Sequence, residues 1–71
     1  MTQRQREILL IINNYIENEG ISPTVREICD VSGLKSTATV HFHIKALQKE
    51  GYIKMKQGSA RSIRIVKEHL Y

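Results

Sequence analysis

The spacing of apolar residues changes once along this 71-residue chain, at Gly51. Before Gly51, apolar side chains recur every three or four residues, which is the period of an amphipathic helix. After Gly51 they alternate with polar and basic residues through 52–56 and 62–65, which is the period of a β-strand. The sequence therefore predicts helices first and then one antiparallel hairpin. Its tip, residues 57–61, is called the wing below.

The helical part divides into three segments. Thr2 with Gln5 and Thr24 with Glu27 have the spacing of capping boxes, which satisfy free N–H groups at a helix start. Ser36 is a good N-cap for the third helix. Glycine tolerates the left-handed backbone that often ends a helix. The predicted ends are Gly20, Gly33 and Gly51.

Three helices followed by a two-stranded hairpin are typical of a winged helix-turn-helix, a mainly α fold with a small β-hairpin. We expect this domain to span residues 1–66, and residues 67–71 to be a tail or the start of an interdomain linker. The apolar face of each helix predicts the core. Its members are Ile8, Leu9, Ile12, Tyr15 and Ile16, then Val25, Ile28 and Cys29, then Val40, Ile44 and Leu47.

Several classes of protein do not fit this sequence. A catalytic domain with its own cleft usually needs about 100–200 residues, and the longest apolar run, Ile8 to Ile12, is far below the roughly 20 residues of a membrane span. Cys29 is the only cysteine, so it forms no disulfide within the chain and is predicted to be buried. His41 and His43 point about 200° apart on a helix and cannot share a metal. We expect no enzyme, metal site or cofactor.

The charge is unevenly distributed. Residues 1–34 carry three basic and five acidic side chains, whereas residues 35–67 carry eight basic side chains against Glu50 alone; Glu68 brings the net charge to +4. A basic half of a small domain favours an anionic partner, most commonly nucleic acid. The alternative is a solvated face that aids solubility.

The third helix has a second face that the core does not use. At about 100° per residue, Phe42 lies opposite Val40. An apolar ring on a basic, polar face fits a thymine methyl group in the major groove of DNA, although a ring folded onto a neighbouring surface would also explain it. The residues on or bordering this side are Ala38, His41, Phe42, Lys45 and Lys49.

The start of the third helix and the wing add further candidates. Small residues fill the first turn, and their hydroxyls and N–H groups suit a phosphate or base edges, with ordinary capping as the alternative. Arg61 in the wing is a candidate for the minor groove or a flanking phosphate, or else a solvated turn residue. The first-turn residues are Ser36, Thr37, Ala38 and Thr39.

Several segments, in order, resemble the N-terminal DNA-binding domain of the LexA repressor family, and most resemble its Gram-positive form. The similarity runs from residue 2 to about residue 66. The segments that carry it are TQRQREIL at 2–9, GISPTVREI at 20–28, GL at 33–34, STATVHFHIKAL at 36–47 and ARSIRI at 60–65.

The resemblance implies a repressor of DNA-damage (SOS) genes in the bacterial cytoplasm, associated with the nucleoid. Its partner would be double-stranded DNA, a palindromic operator with one copy of the domain on each half-site. The third helix would enter the major groove and the wing would touch the minor groove. Phe42 stands where the Gram-positive form has glycine and the enterobacterial form an acidic residue, so the operator sequence is not implied. By position, the contacts would be Ser36, Thr37, Ala38, Thr39, His41, Phe42 and Arg61.

Full-length members of that family also carry a C-terminal domain with a serine–lysine pair that cleaves the chain, and this domain dimerises the repressor. We therefore expect this sequence to be a DNA-binding fragment that is a monomer or a weak dimer. Two alternatives remain open. One is a free-standing phage or plasmid winged-helix regulator unrelated to the SOS response, and the other is a protein-interaction module anchored by Phe42.

Overall fold

The computed structural model describes residues 2–66; the predicted tail, 67–71, lies outside them. Three helices precede two short strands, which confirms the predicted order. No helix among the described residues combines the length and apolar character needed to cross a membrane. The elements are α1 (Gln3–Glu19), α2 (Val25–Ser32), α3 (Thr37–Lys49), β1 (Ile53–Lys54) and β2 (Arg64–Ile65).

Each helix begins at the residue that its sequence predicts. The Thr2 hydroxyl accepts from the Gln5 N–H at 3.1 Å, and the Gln5 side chain accepts from the Thr2 N–H at 2.9 Å. Thr24 and Glu27 form the same reciprocal pair at the start of α2. Both capping boxes are confirmed. Local hydrogen bonding between side chain and backbone therefore determines where these helices start.

The end of α3 shows why glycine is needed at position 51. Gly51 has a φ of 85°, a left-handed conformation that a side chain disfavours. Its N–H donates to the Gln48 carbonyl at 3.1 Å, and the Tyr52 N–H donates to the Leu47 carbonyl at 2.9 Å. These two bonds satisfy the last carbonyl groups of the helix and turn the chain towards β1.

The core lies where the three helices meet, and the hairpin closes it. All three helices contact one another, and α3 also packs against β1. Of the predicted core residues, Tyr15, Ile16 and Val25 are only partly buried, because they lie at its edge. The buried apolar residues are Ile8, Leu9, Ile12, Ile28, Cys29, Val40, Ile44, Leu47, Ile53 and Ile63.

The hairpin strands are shorter than the alternating pattern predicts. Only two antiparallel pairs form, Ile53 with Ile65 and Lys54 with Arg64. Beyond these pairs, the Ser62 hydroxyl accepts from the Lys56 N–H at 2.9 Å and donates to the Lys56 carbonyl at 3.1 Å. Because this side chain provides the next hydrogen bonds, the backbone ladder ends there and the wing begins.

Candidate nucleic-acid interface

The outward side of α3 is exposed as the sequence predicts. Phe42 is 68% exposed, whereas Val40, Ile44 and Leu47 on the opposite side are buried. The only aromatic ring that packs on Phe42 among the described residues is that of its neighbour His43, with ring centroids 5.7 Å apart. The surface called the α3 face comprises the exposed residues Ser36, Thr37, Ala38, Thr39, His41, Phe42, Lys45 and Lys49.

The first turn of α3 combines capping with accessibility. Ser36 is the N-cap, and its hydroxyl accepts from the Ala38 N–H at 3.2 Å. All four residues from Ser36 to Thr39 are exposed. The N–H groups and the positive dipole end of a helix favour an anion at this position. The capping role that the sequence suggests is therefore present and leaves the turn open to a ligand.

His41 of the α3 face and the wing border a common groove. A cleft of about 380 Å³ lies between the start of α2, the middle of α3 and the wing. Thr24, Arg26, His41 and Ser59 are among the residues that line it. One side of the molecule therefore presents parts of α2, α3 and the wing together.

Arg61 lies in the wing but bonds back to the helical part of the protein. Its guanidinium donates to both carboxylate oxygens of Glu27, at 3.0 and 3.1 Å, and to the Ser22 carbonyl at 3.0 Å. The side chains of Arg61 and Glu27 remain 43% and 32% exposed. A DNA contact by Arg61 stays a prediction, and the geometry adds a second role, which is to attach the wing to α2.

Glu27 joins three parts of the fold through one carboxylate. Oε1 accepts from the Thr24 N–H at 2.8 Å, and Oε2 accepts from the Tyr15 hydroxyl of α1 at 3.0 Å. The bonds from Arg61, then the Thr24 N–H and the Tyr15 hydroxyl, hold the pKa of Glu27 at about 2 instead of the ordinary 4.5. Sequence reasoning assigned Glu27 to capping alone. The sequence contains one local signal of this contact, which is the hydroxyl of Tyr15 on the otherwise apolar face of α1.

This carboxylate makes the stability of the domain depend on pH. Because folding lowers the pKa of Glu27 from 4.5 to about 2, its contribution is present above the unfolded pKa and is lost as the pH falls towards the folded one. We expect Glu27→Gln to lower the Tm by a constant amount above about pH 5 and by progressively less below about pH 4.5. Thermal unfolding followed by circular dichroism at a series of pH values measures this Tm difference.

The matched control is Asp30→Asn, which removes an exposed carboxylate from the same helix. We expect it to change the Tm much less than Glu27→Gln does above about pH 5. A Tm difference between wild type and Glu27→Gln that does not shrink in acid would contradict the role given to the ionised carboxylate.

Comparison with known proteins identifies the family. The model of the LexA DNA binding domain family matches residues 1–62. The LexA repressor of Caldicellulosiruptor saccharolyticus is 46% identical over 71 residues, all of this chain and 35% of the relative. That of Clostridium botulinum is 48% identical over 63 residues, 89% of this chain and 31% of the relative. That of Desulfatibacillum aliphaticivorans is 42% identical over 67 residues, 94% of this chain and 33% of the relative.

The chain spans about a third of the length of these curated relatives. The family match covers all three helices, β1 and the wing. The matched range therefore contains the residues of both capping boxes and of the α3 face, and both Glu27 and Arg61. The chain belongs to the LexA DNA-binding domain family.

Proposed function

We propose that this domain binds double-stranded DNA in a sequence-specific way, as the DNA-binding part of a bacterial transcriptional repressor of SOS genes. The observation that carries the proposal is the α3 face, where an exposed phenylalanine lies among hydroxyl and basic side chains. The relatives that match the chain bear the name LexA repressor. Such a repressor works in the bacterial cytoplasm.

Each part of the α3 face has a role in this proposal. An α-helix fits the major groove, which is about 12 Å wide. The hydroxyl and N–H groups of the first turn contact a phosphate or base edges, and Phe42 meets a thymine methyl group. Lys45 and Lys49 neutralise phosphates, which raises affinity for every sequence. Phe42 and the first turn therefore decide sequence preference.

We further propose a palindromic operator with one copy of the domain on each half-site. An isolated domain of this kind is a monomer or a weak dimer, so it lacks the gain that linking two binding units brings. That gain reaches about 10²–10⁴ in affinity. A repressor with a dimerising domain would recover it without any new contact to the DNA.

The test is a titration of a random duplex pool at about 50 and 200 mM salt, followed by sequencing of the bound fraction. If about four phosphates are neutralised, affinity falls about 10²-fold between the two salt concentrations. A small set of sequences should be enriched at both. Salt-sensitive binding without an enriched sequence would contradict a specific repressor.

The exposure of Phe42 also favours a second candidate, a protein-interaction module anchored by this ring. This candidate would be supported if Phe42 mediated self-association or binding to another protein, and if added DNA did not displace that interaction. If a sequence is enriched, the genes that carry it distinguish an SOS repressor from a phage or plasmid regulator.

A further inference from the structure

We propose that Glu27, although negatively charged, strengthens DNA binding because it positions the wing relative to α3. The inference rests on the proposed DNA-binding function. Glu27 acts through Arg61 and is a positioning residue, with no contact to DNA required of it. Its removal should therefore weaken binding, even though it takes one negative charge away from the polyanion.

Few hydrogen bonds attach the wing to the helical part of the protein. The hairpin contains only two paired residues on each side. On the side of the wing that leads into β2, Arg61 donates to Glu27 and to the Ser22 carbonyl. The Ile63 N–H donates to the Ser22 hydroxyl at 3.0 Å. These bonds connect the wing to the segment between α1 and α2 and to α2 itself.

Glu27 also has hydrogen-bond partners within the helical part of the protein, in addition to Arg61. The Thr24 N–H and the Tyr15 hydroxyl each donate to one of its oxygens. Both oxygens are thus oriented, and the planar guanidinium of Arg61 meets them in a bidentate pair, which adds geometric specificity to the charge attraction. The carboxylate is therefore a fixed anchor to which the wing attaches.

Simple electrostatics predicts the opposite effect from positioning. DNA repels a carboxylate, so Glu27→Gln should increase affinity if only net charge matters. If Glu27 positions the wing, then in Glu27→Gln the wing becomes ordered only on binding. Immobilising side chains at that step lowers affinity, and the expected loss is about threefold to tenfold. The sign of the change separates the two explanations.

The experiment measures Kd on the duplex that the pool enriches, at one salt concentration, for the whole 71-residue chain. Glu27→Gln should bind about threefold to tenfold more weakly than wild type. Asp30→Asn, which removes the same charge from an exposed position on α2, should bind as tightly as wild type or more tightly. Circular dichroism confirms that each variant is folded at the assay temperature.

A shortened duplex separates positioning from a general loss of stability. When the flanking base pairs that the wing reaches are removed, Glu27→Gln should bind as tightly as wild type or more tightly, because the α3 face is unchanged and one negative charge is gone. Ser22→Ala provides a second variant, since it removes the bond to Ile63 without changing charge or the α2 capping box. We expect it to weaken binding to the full duplex and not to the shortened one.

Two results overturn the inference in distinguishable ways. If wild type enriches a sequence but Glu27→Gln binds it at least as tightly as Asp30→Asn, the positioning role is wrong and the proposed function stands. If wild type enriches no sequence, the proposed function fails, and the inference fails with it.

Discussion

The substitution Ala38→Glu is expected to leave the domain folded and to weaken DNA binding by about 30-fold or more. Ala38 is exposed in the first turn of α3. A carboxylate there interacts favourably with the helix dipole by about 0.3–1 kcal/mol. The same charge would face the DNA backbone, and like charges brought together at an interface weaken binding by several kcal/mol. Stability and affinity therefore respond differently to one substitution.

Gln3→Glu is the matched control for charge, because it adds one carboxylate to the exposed first turn of a different helix, α1. Ala38→Gln controls for size without charge. Fluorescence anisotropy with the enriched duplex should show the large loss only for Ala38→Glu. Equal losses for Ala38→Glu and Gln3→Glu would mean that net charge, not the α3 face, controls binding.

Leu47→Ala is expected to remove about 2–5 kcal/mol of stability. Leu47 is fully buried on the core side of α3. A domain of this length has a free energy of unfolding of only about 4–10 kcal/mol. The Tm should therefore fall by about 10 °C or more, which thermal unfolding followed by circular dichroism measures.

Phe42→Ala is the control on the same helix. Phe42 is 68% exposed, and a substitution at such a site usually changes stability by less than about 0.5 kcal/mol. If Phe42→Ala lowers the Tm as much as Leu47→Ala, the ring is packed against another surface in solution. A Tm loss that depends on protein concentration would identify that surface as a second copy, and would favour the interaction module.

Much of the fold and of the α3 face is predictable because the signals are local. A capping box acts over three residues, as between Thr2 and Gln5, and a helical face repeats within one or two turns. The side of α3 on which Phe42 lies follows from the same reasoning, since it depends only on the angle from Val40. The strands are shorter than the alternating pattern predicts because the Ser62 side chain replaces a backbone hydrogen bond. Alternation of apolar and polar residues does not reveal this replacement.

The amino-acid sequence is enough to predict the three helices, where each begins, and which side of α3 faces solvent. The attachment of the wing depends on contacts that form only once the domain has folded. Glu27 and Arg61 are 34 residues apart, and no periodic pattern relates them. Their pairing exists because α1, α2 and the hairpin fold around one core, which brings an oriented carboxylate and a guanidinium within hydrogen-bonding distance.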